Sequence, residues 1–187
     1  LAEMSLRPSV GAGAVARAAR MRAFGVFTAV AAQLAVPLPF TPVPVTMQTL
    51  FVVLAGLTLG ARDGFYALLA YLALGLAGAP VFAGFGFGPA ALIGPTGGYL
   101  MTFPAAALVS GCLGEWFGKS RAGAFLAALC GMALILAGGA AYLSALTGMS
   151  FGRTAALAIA PFAAGDIVKA AVAALLVGLA EGAPGRR

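Results

Sequence analysis

Asp166 and Lys169 are the residues best equipped for chemistry in this chain, and they stand in an unexpected place. The stretch PFAAGDIVKAAVAALLVGLA, residues 161–180, is otherwise free of charge. Three residues apart on a helix, a carboxylate and an ammonium share one face. A charge at bilayer depth is costly, so charges inside spans usually face a bundle interior and mark a site. Two readings are open. Either the pair neutralises itself and fixes helix packing, or it offers an acceptor and a donor to a polar ligand. An enzyme using Asp166 as a base is the weakest reading, because one carboxylate without a partner acid or metal offers little chemistry. The sequence holds no histidine, which excludes His acid/base catalysis and His metal sites. It has no G-x-x-x-x-G-K-[ST] pattern, so ATP is not bound by that route. No cluster of Asp, Glu, His or Cys has the spacing of a metal site, and no cofactor is expected. Cys112 and Cys130 lie in apolar runs and read as packed free thiols.

The elements that must position this pair are membrane helices. Of 187 residues, 62% are hydrophobic and 9% charged, against about 25% charged in soluble domains. A chain this short cannot hide so much apolar surface from water, so its solvent is lipid. The pI near 10 does not point to nucleic acid, because the basic residues sit in short loops beside apolar runs. A span needs roughly 20 mostly apolar residues. Six segments qualify, at about 21–37, 46–61, 64–80, 98–117, 122–147 and 161–180. The second and third are short, and Pro104 should kink the fourth. Residues 1–20 form a basic tail with no signal-peptide core, and 21–187 form one six-helix membrane domain.

Basic residues set the orientation. Arg7, Arg17, Arg20, Arg22, Arg62, Lys119, Arg121, Arg186 and Arg187 fall on one side, and only Arg153 on the other. Both termini are therefore expected in the cytoplasm. The outer loops PLPFTPVPVT (37–46) and VFAGFGFGPAALIGPTGG (81–98) are uncharged and rich in Pro or Gly. Backbone this irregular must be satisfied by protein or water, so both read as lids over a cavity. Thr46, Gln48, Thr96 and Tyr99 lie on the same outer side as Asp166 and Lys169. Tyr71, in the third span, reads as a packing or interface residue. In the first span, Gly25 and Ala29 are small residues four apart, which permits close approach by another helix.

Four blocks occur in order: PVPVTMQTLFVVLAGLTLG (42–60), GAPVFAGFGFG (78–88), GPTGGYL (94–100) and PFAAGDIVKAA (161–171). Together they resemble the BioY family, biotin-specific S-components of energy-coupling factor transporters, from about residue 21 onward. The resemblance implies an all-α integral membrane protein of six helices that captures biotin from outside, beneath outer loops that cap the site. It implies a multi-pass protein of a bacterial or archaeal inner membrane, and not an enzyme. Its partners would be a transmembrane coupling protein and two cytosolic ATPase subunits. The family's biotin-contacting Asp and Lys fall on Asp166 and Lys169, and its A-x-x-x-A-like docking face on Gly25 and Ala29. Where some relatives carry a polar residue after VFA, this chain has Gly84, so a backbone contact replaces a side-chain one. Asp166 can accept a ureido N–H. Lys169 can donate to the ureido carbonyl or to the valerate carboxylate, and both remain open. Phe82, Phe85 and Tyr99 supply apolar walls. The alternative is a solitary facilitator or secondary transporter for a small vitamin, although no inverted repeat marks one.

Overall fold

Long runs of Ala, Leu, Val and Gly fold as helices that satisfy their own backbone groups, the state a lipid surround demands. The computed structural model describes residues 10–118 and 120–181. Arg7, Lys119, Arg186 and Arg187 lie outside the described residues. The main helices are α1 (Val10–Gln33), α2 (Gln48–Leu59), α3 (Ala61–Leu76), α5 (Gly97–Phe117), α6 (Arg121–Thr147) and α8 (Ala160–Glu181). Two short helices, α4 (Pro89–Ile93) and α7 (Phe151–Ala158), sit in the connections. Among the described residues, three helices are long and apolar enough to cross a membrane by themselves: α5, α6 and Ala160–Ala180 of α8.

The six segments singled out in the sequence are helical, but the ends move. Helix α1 begins at Val10, so the second half of the basic tail is helical and runs on into the helix at 21–33. Arg17 on that extension donates from Nε to Asp63 Oδ2 at 2.6 Å, and its Nη2 pairs with Oδ1. Those hydrogen bonds and the guanidinium charge hold the Asp63 carboxyl below the usual carboxylate range. The pair ties α1 to the first turn of α3. Helix α1 stops at Gln33, and the chain enters a two-stranded hairpin, β1 (Ala35–Val36) with β2 (Val45–Thr46), that closes the Pro-rich loop. Helix α5 runs on through Pro104, which is buried. The loop at 148–160 is largely α7, with Arg153 exposed on it. Cys112 and Cys130 are free but exposed on the outer surfaces of their helices, not packed as expected.

Helix α2 has 12 residues and spans only about 18 Å at 1.5 Å per residue, against a hydrocarbon core of about 30 Å. It survives because it is central: it packs against α1, α3, α5, α6 and α8, and seven of its residues are buried. Glycine makes this crowding possible. A Cβ on Gly56 would meet Ala107 O at 2.1 Å, and one on Gly111 would meet Ala61 Cα at 2.4 Å. These are backbone atoms and cannot rotate aside. Gly111→Ala should therefore push α5 off the α2–α3 junction and destabilise the fold by about 1–3 kcal/mol. Its melting temperature in detergent reads this directly, and an unchanged value would show that the helices part freely.

Candidate ligand-binding site

Helix α8 carries Asp166 and Lys169 on its inner face, where they are 4% and 7% exposed. One turn of helix lets the Lys169 ammonium reach back and donate to Asp166 Oδ1 at 2.9 Å. The same Nζ donates to Thr49 Oγ1 at 3.0 Å, and Thr49 in turn donates to Asp166 Oδ1 at 3.2 Å. Oδ1 is thus doubly engaged. Asp166 Oδ2 is buried and has no hydrogen-bond partner among the described residues. Buried polar atoms are nearly always paired, so a lone carboxylate oxygen beside a cavity marks where a donor is to be received.

The cavity has a volume of about 470 Å³, within the range of roughly 300–1,000 Å³ usual for small-molecule sites. Its walls are mostly apolar: Val43 from the Pro-rich loop, Phe82 and Phe87 from the Gly-rich loop, Leu100 and Phe103 from α5, Ile135 and Leu136 from α6, and Phe162 from α8. The polar lining comprises Thr46, Gln48, Thr49, Thr96, Tyr99, Asp166 and Lys169. Both loops expected as lids contribute to this wall.

Several of these polar groups are already held. Tyr99 donates its hydroxyl to Ala158 O at 2.8 Å, so what it turns to the cavity is its ring. Gln48 accepts from Thr46 Oγ1 at 3.2 Å and donates to Tyr71 Oη at 2.8 Å. Tyr71 passes the chain on to Val81 O at 2.9 Å. Tyr71 is a buried linker between α2 and the Gly-rich loop, one of the packing roles foreseen for it. The fixed Gln48 leaves one amide N–H and a carbonyl lone pair available.

Of the expected ligand-binding residues, the structure brings Asp166, Lys169, Tyr99, Gln48, Thr46, Phe82 and Thr96 to one cavity. It does not bring Gly84 or Phe85 there. Both have left-handed backbones, φ 64° and 57°, and this reversal points Phe85 outward at 65% exposure. Gly86 and Phe87 line the wall in their place. Thr49 is the functional candidate the sequence reading passed over. A single Thr in an apolar span is commonplace, and only the fold shows it bridging Asp166 and Lys169.

Gly25 and Ala29 lie elsewhere, in a second groove of about 510 Å³ between α1 and α3. Ala18, Arg22, Ala67, Ala70, Tyr71 and Val81 also line it. Among the described residues, no group of three or more His, Cys, Asp or Glu side chains is placed to hold a metal ion.

The family model described as the BioY family matches residues 4–183. A probable biotin transporter BioY of Pyrococcus horikoshii is 43% identical over 159 residues, covering 85% of this chain and 92% of the relative. The biotin transporter BioY of Thermotoga maritima is 37% identical over 153 residues, covering 81% and 89%. Among solved structures, the S-component for biotin from an ECF-type ABC transporter superimposes with a TM-score of 0.85 at 26% identity, covering 92% of this chain and 94% of that one.

Proposed function

The chain belongs to the BioY family, and from that premise we propose that its cavity is the biotin site of an energy-coupling factor transporter. The protein is a transport subunit, not an enzyme. The observation that carries the reading is Asp166 Oδ2, an unpartnered buried acceptor at the edge of an apolar cavity. Biotin's ureido N–H is the donor it lacks. Lys169 is anchored to Asp166 and Thr49, and its remaining proton serves the ureido carbonyl beside that N–H. The fused rings and aliphatic chain fit the wall of Phe82, Phe103 and Phe162. Labelled biotin should bind the purified protein and resist displacement by other vitamins. Failure to bind, or displacement by any small vitamin, would overturn the assignment.

The protein acts with a transmembrane coupling protein and two cytosolic ATPase subunits, in a prokaryotic inner membrane. The α1–α3 groove supports a docking role for Gly25 and Ala29, because its small residues permit close helix approach. Co-purification separates this from a solitary facilitator, which would bring no ATPase-bearing complex with it.

Helices α1, α2, α3, α5, α6 and α8 are the six spans, with both termini cytoplasmic. The bias of basic residues supports this orientation. In a Cys112→Ala, Cys130→Ala background, Ser150→Cys should react with an impermeant thiol reagent from outside the cell, and Ala122→Cys should not. Ala122 is the better inner reporter, because Ser120 caps α6 by accepting from the Gly123 N–H at 3.0 Å. The opposite labelling pattern would place the Asp166 site on the wrong side for uptake.

A further inference from the structure

Gln33 is the last residue of α1 and does not line the cavity, yet both of its amide N–H groups and one carbonyl lone pair are engaged. Its Nε2 donates to Ala29 O at 3.1 Å, within its own helix, and to Phe82 O at 3.1 Å, across to the Gly-rich loop. Its Oε1 accepts the Phe85 N–H at 2.9 Å. The partners dictate the side chain. Phe82 O takes a donor and the Phe85 N–H an acceptor from one side chain, and an amide supplies both.

The segment it grips is a tight reversal. Phe82 N–H donates to Gly86 O at 3.0 Å, and Gly86 N–H to Ala83 O at 3.2 Å. Between them Gly84 and Phe85 are left-handed. Glycine takes that conformation freely, but Phe does so only when its surroundings hold it there. The bond from Phe85 N–H to Gln33 is the hold. The other side of the same reversal is cavity wall: Phe82, Ala83 and Gly86 line it.

We propose that Gln33 is a positioning residue for ligand retention, pinning the 82–86 turn over the cavity and tying its closure to the end of α1. The inference rests on the cavity being the biotin site. Its consequence is directional. Helix α1 also bears the candidate docking groove, and Ala29, whose carbonyl shares the Gln33 amide, lines that groove. A shift of α1 during docking would therefore pull on the turn that covers the ligand. Tyr71 and Val81 reinforce the connection, since both line the groove while their hydrogen bond leads into the loop just before Phe82.

Gln33→Met keeps the length of the side chain and removes all three bonds. In purified protein the dissociation rate of labelled biotin should rise about ten- to a hundredfold, with the association rate changing far less. A merely structural side chain would lower the melting temperature and leave dissociation from the folded fraction unchanged; that result overturns the proposal. A second readout needs no ligand. In a Cys112→Ala, Cys130→Ala background, Ala83→Cys should react faster with a maleimide once Gln33→Met is added. Faster labelling with an unchanged dissociation rate would overturn the retention role. If the unaltered protein binds no biotin, the biotin assignment falls, and labelling alone decides whether Gln33 pins the turn; an unchanged labelling rate overturns that as well.

Discussion

Asp166→Asn protein should bind biotin about ten- to a hundredfold more weakly while remaining folded. The expectation follows from how the carboxylate is used. Lys169 and Thr49 both donate to Oδ1, leaving Oδ2 buried and free. A hydrogen bond to a charged group contributes about 1.5–3 kcal/mol, more than a neutral one. Asparagine cannot reproduce the arrangement in either orientation. If its oxygen serves Lys169 and Thr49, its NH2 group faces the ligand's N–H, donor against donor. If it flips, the NH2 group faces the Lys169 ammonium. A second cost falls on the fold, because Lys169 loses its counter-charge at 7% exposure. Breaking a buried pair from one side typically costs about 3–5 kcal/mol. Melting temperature and affinity must therefore be measured on the same preparation. A folded Asp166→Asn protein with unchanged affinity would reduce the pair to a packing device, the other reading its spacing allows.

The residues that were legible in the sequence are those whose type conflicts with their surroundings. Asp166 and Lys169 announce themselves because charge inside an apolar span must be explained. Gln48 and Tyr99 do so more weakly, by standing at the outer ends of spans beside uncharged loops. Periodicity and length placed the long helices to within a few residues, but not where α1 starts or its early stop. Arg17 on α1 finds its partner 46 positions away, at Asp63, a pairing no local pattern reveals. The β1–β2 hairpin and α7 were equally hidden, being short and decided by tertiary packing. Phe85 shows the limit from the other direction. An aromatic residue in a Gly-rich lid looks like cavity wall, yet two consecutive left-handed backbones turn it to the surface. Gln33 and Thr49 are unremarkable by type. Their importance is one of position, set by the helix end and the helix face on which each falls.

Gly25→Trp should leave biotin binding and stability intact but lower ATP-driven uptake at least about tenfold. Gly25 is a sharper probe than Ala29, although the two lie four residues apart in the same groove. A Cβ built on Gly25 meets nothing within 4 Å, so an indole there enters the groove and not the core. Ala29 is partly buried and packs against the main core cluster, where Trp would overpack the fold itself. The groove is a docking surface only if another helix comes close enough to use its small residues. An indole filling it would then cost about 1–3 kcal/mol, which moves the docking equilibrium by about ten- to a hundredfold. The cavity beside Asp166 is lined by neither α1 residue, so affinity should hold. Melting temperature, biotin affinity and co-purification with the coupling protein, taken on one variant, separate the outcomes. Lost co-purification with the other two preserved identifies the partner face. A lowered melting temperature would mean that α1 and α3 close over Gly25 within this chain. If all three are unchanged, the groove is filled by lipid tails, and the coupling protein docks on another face.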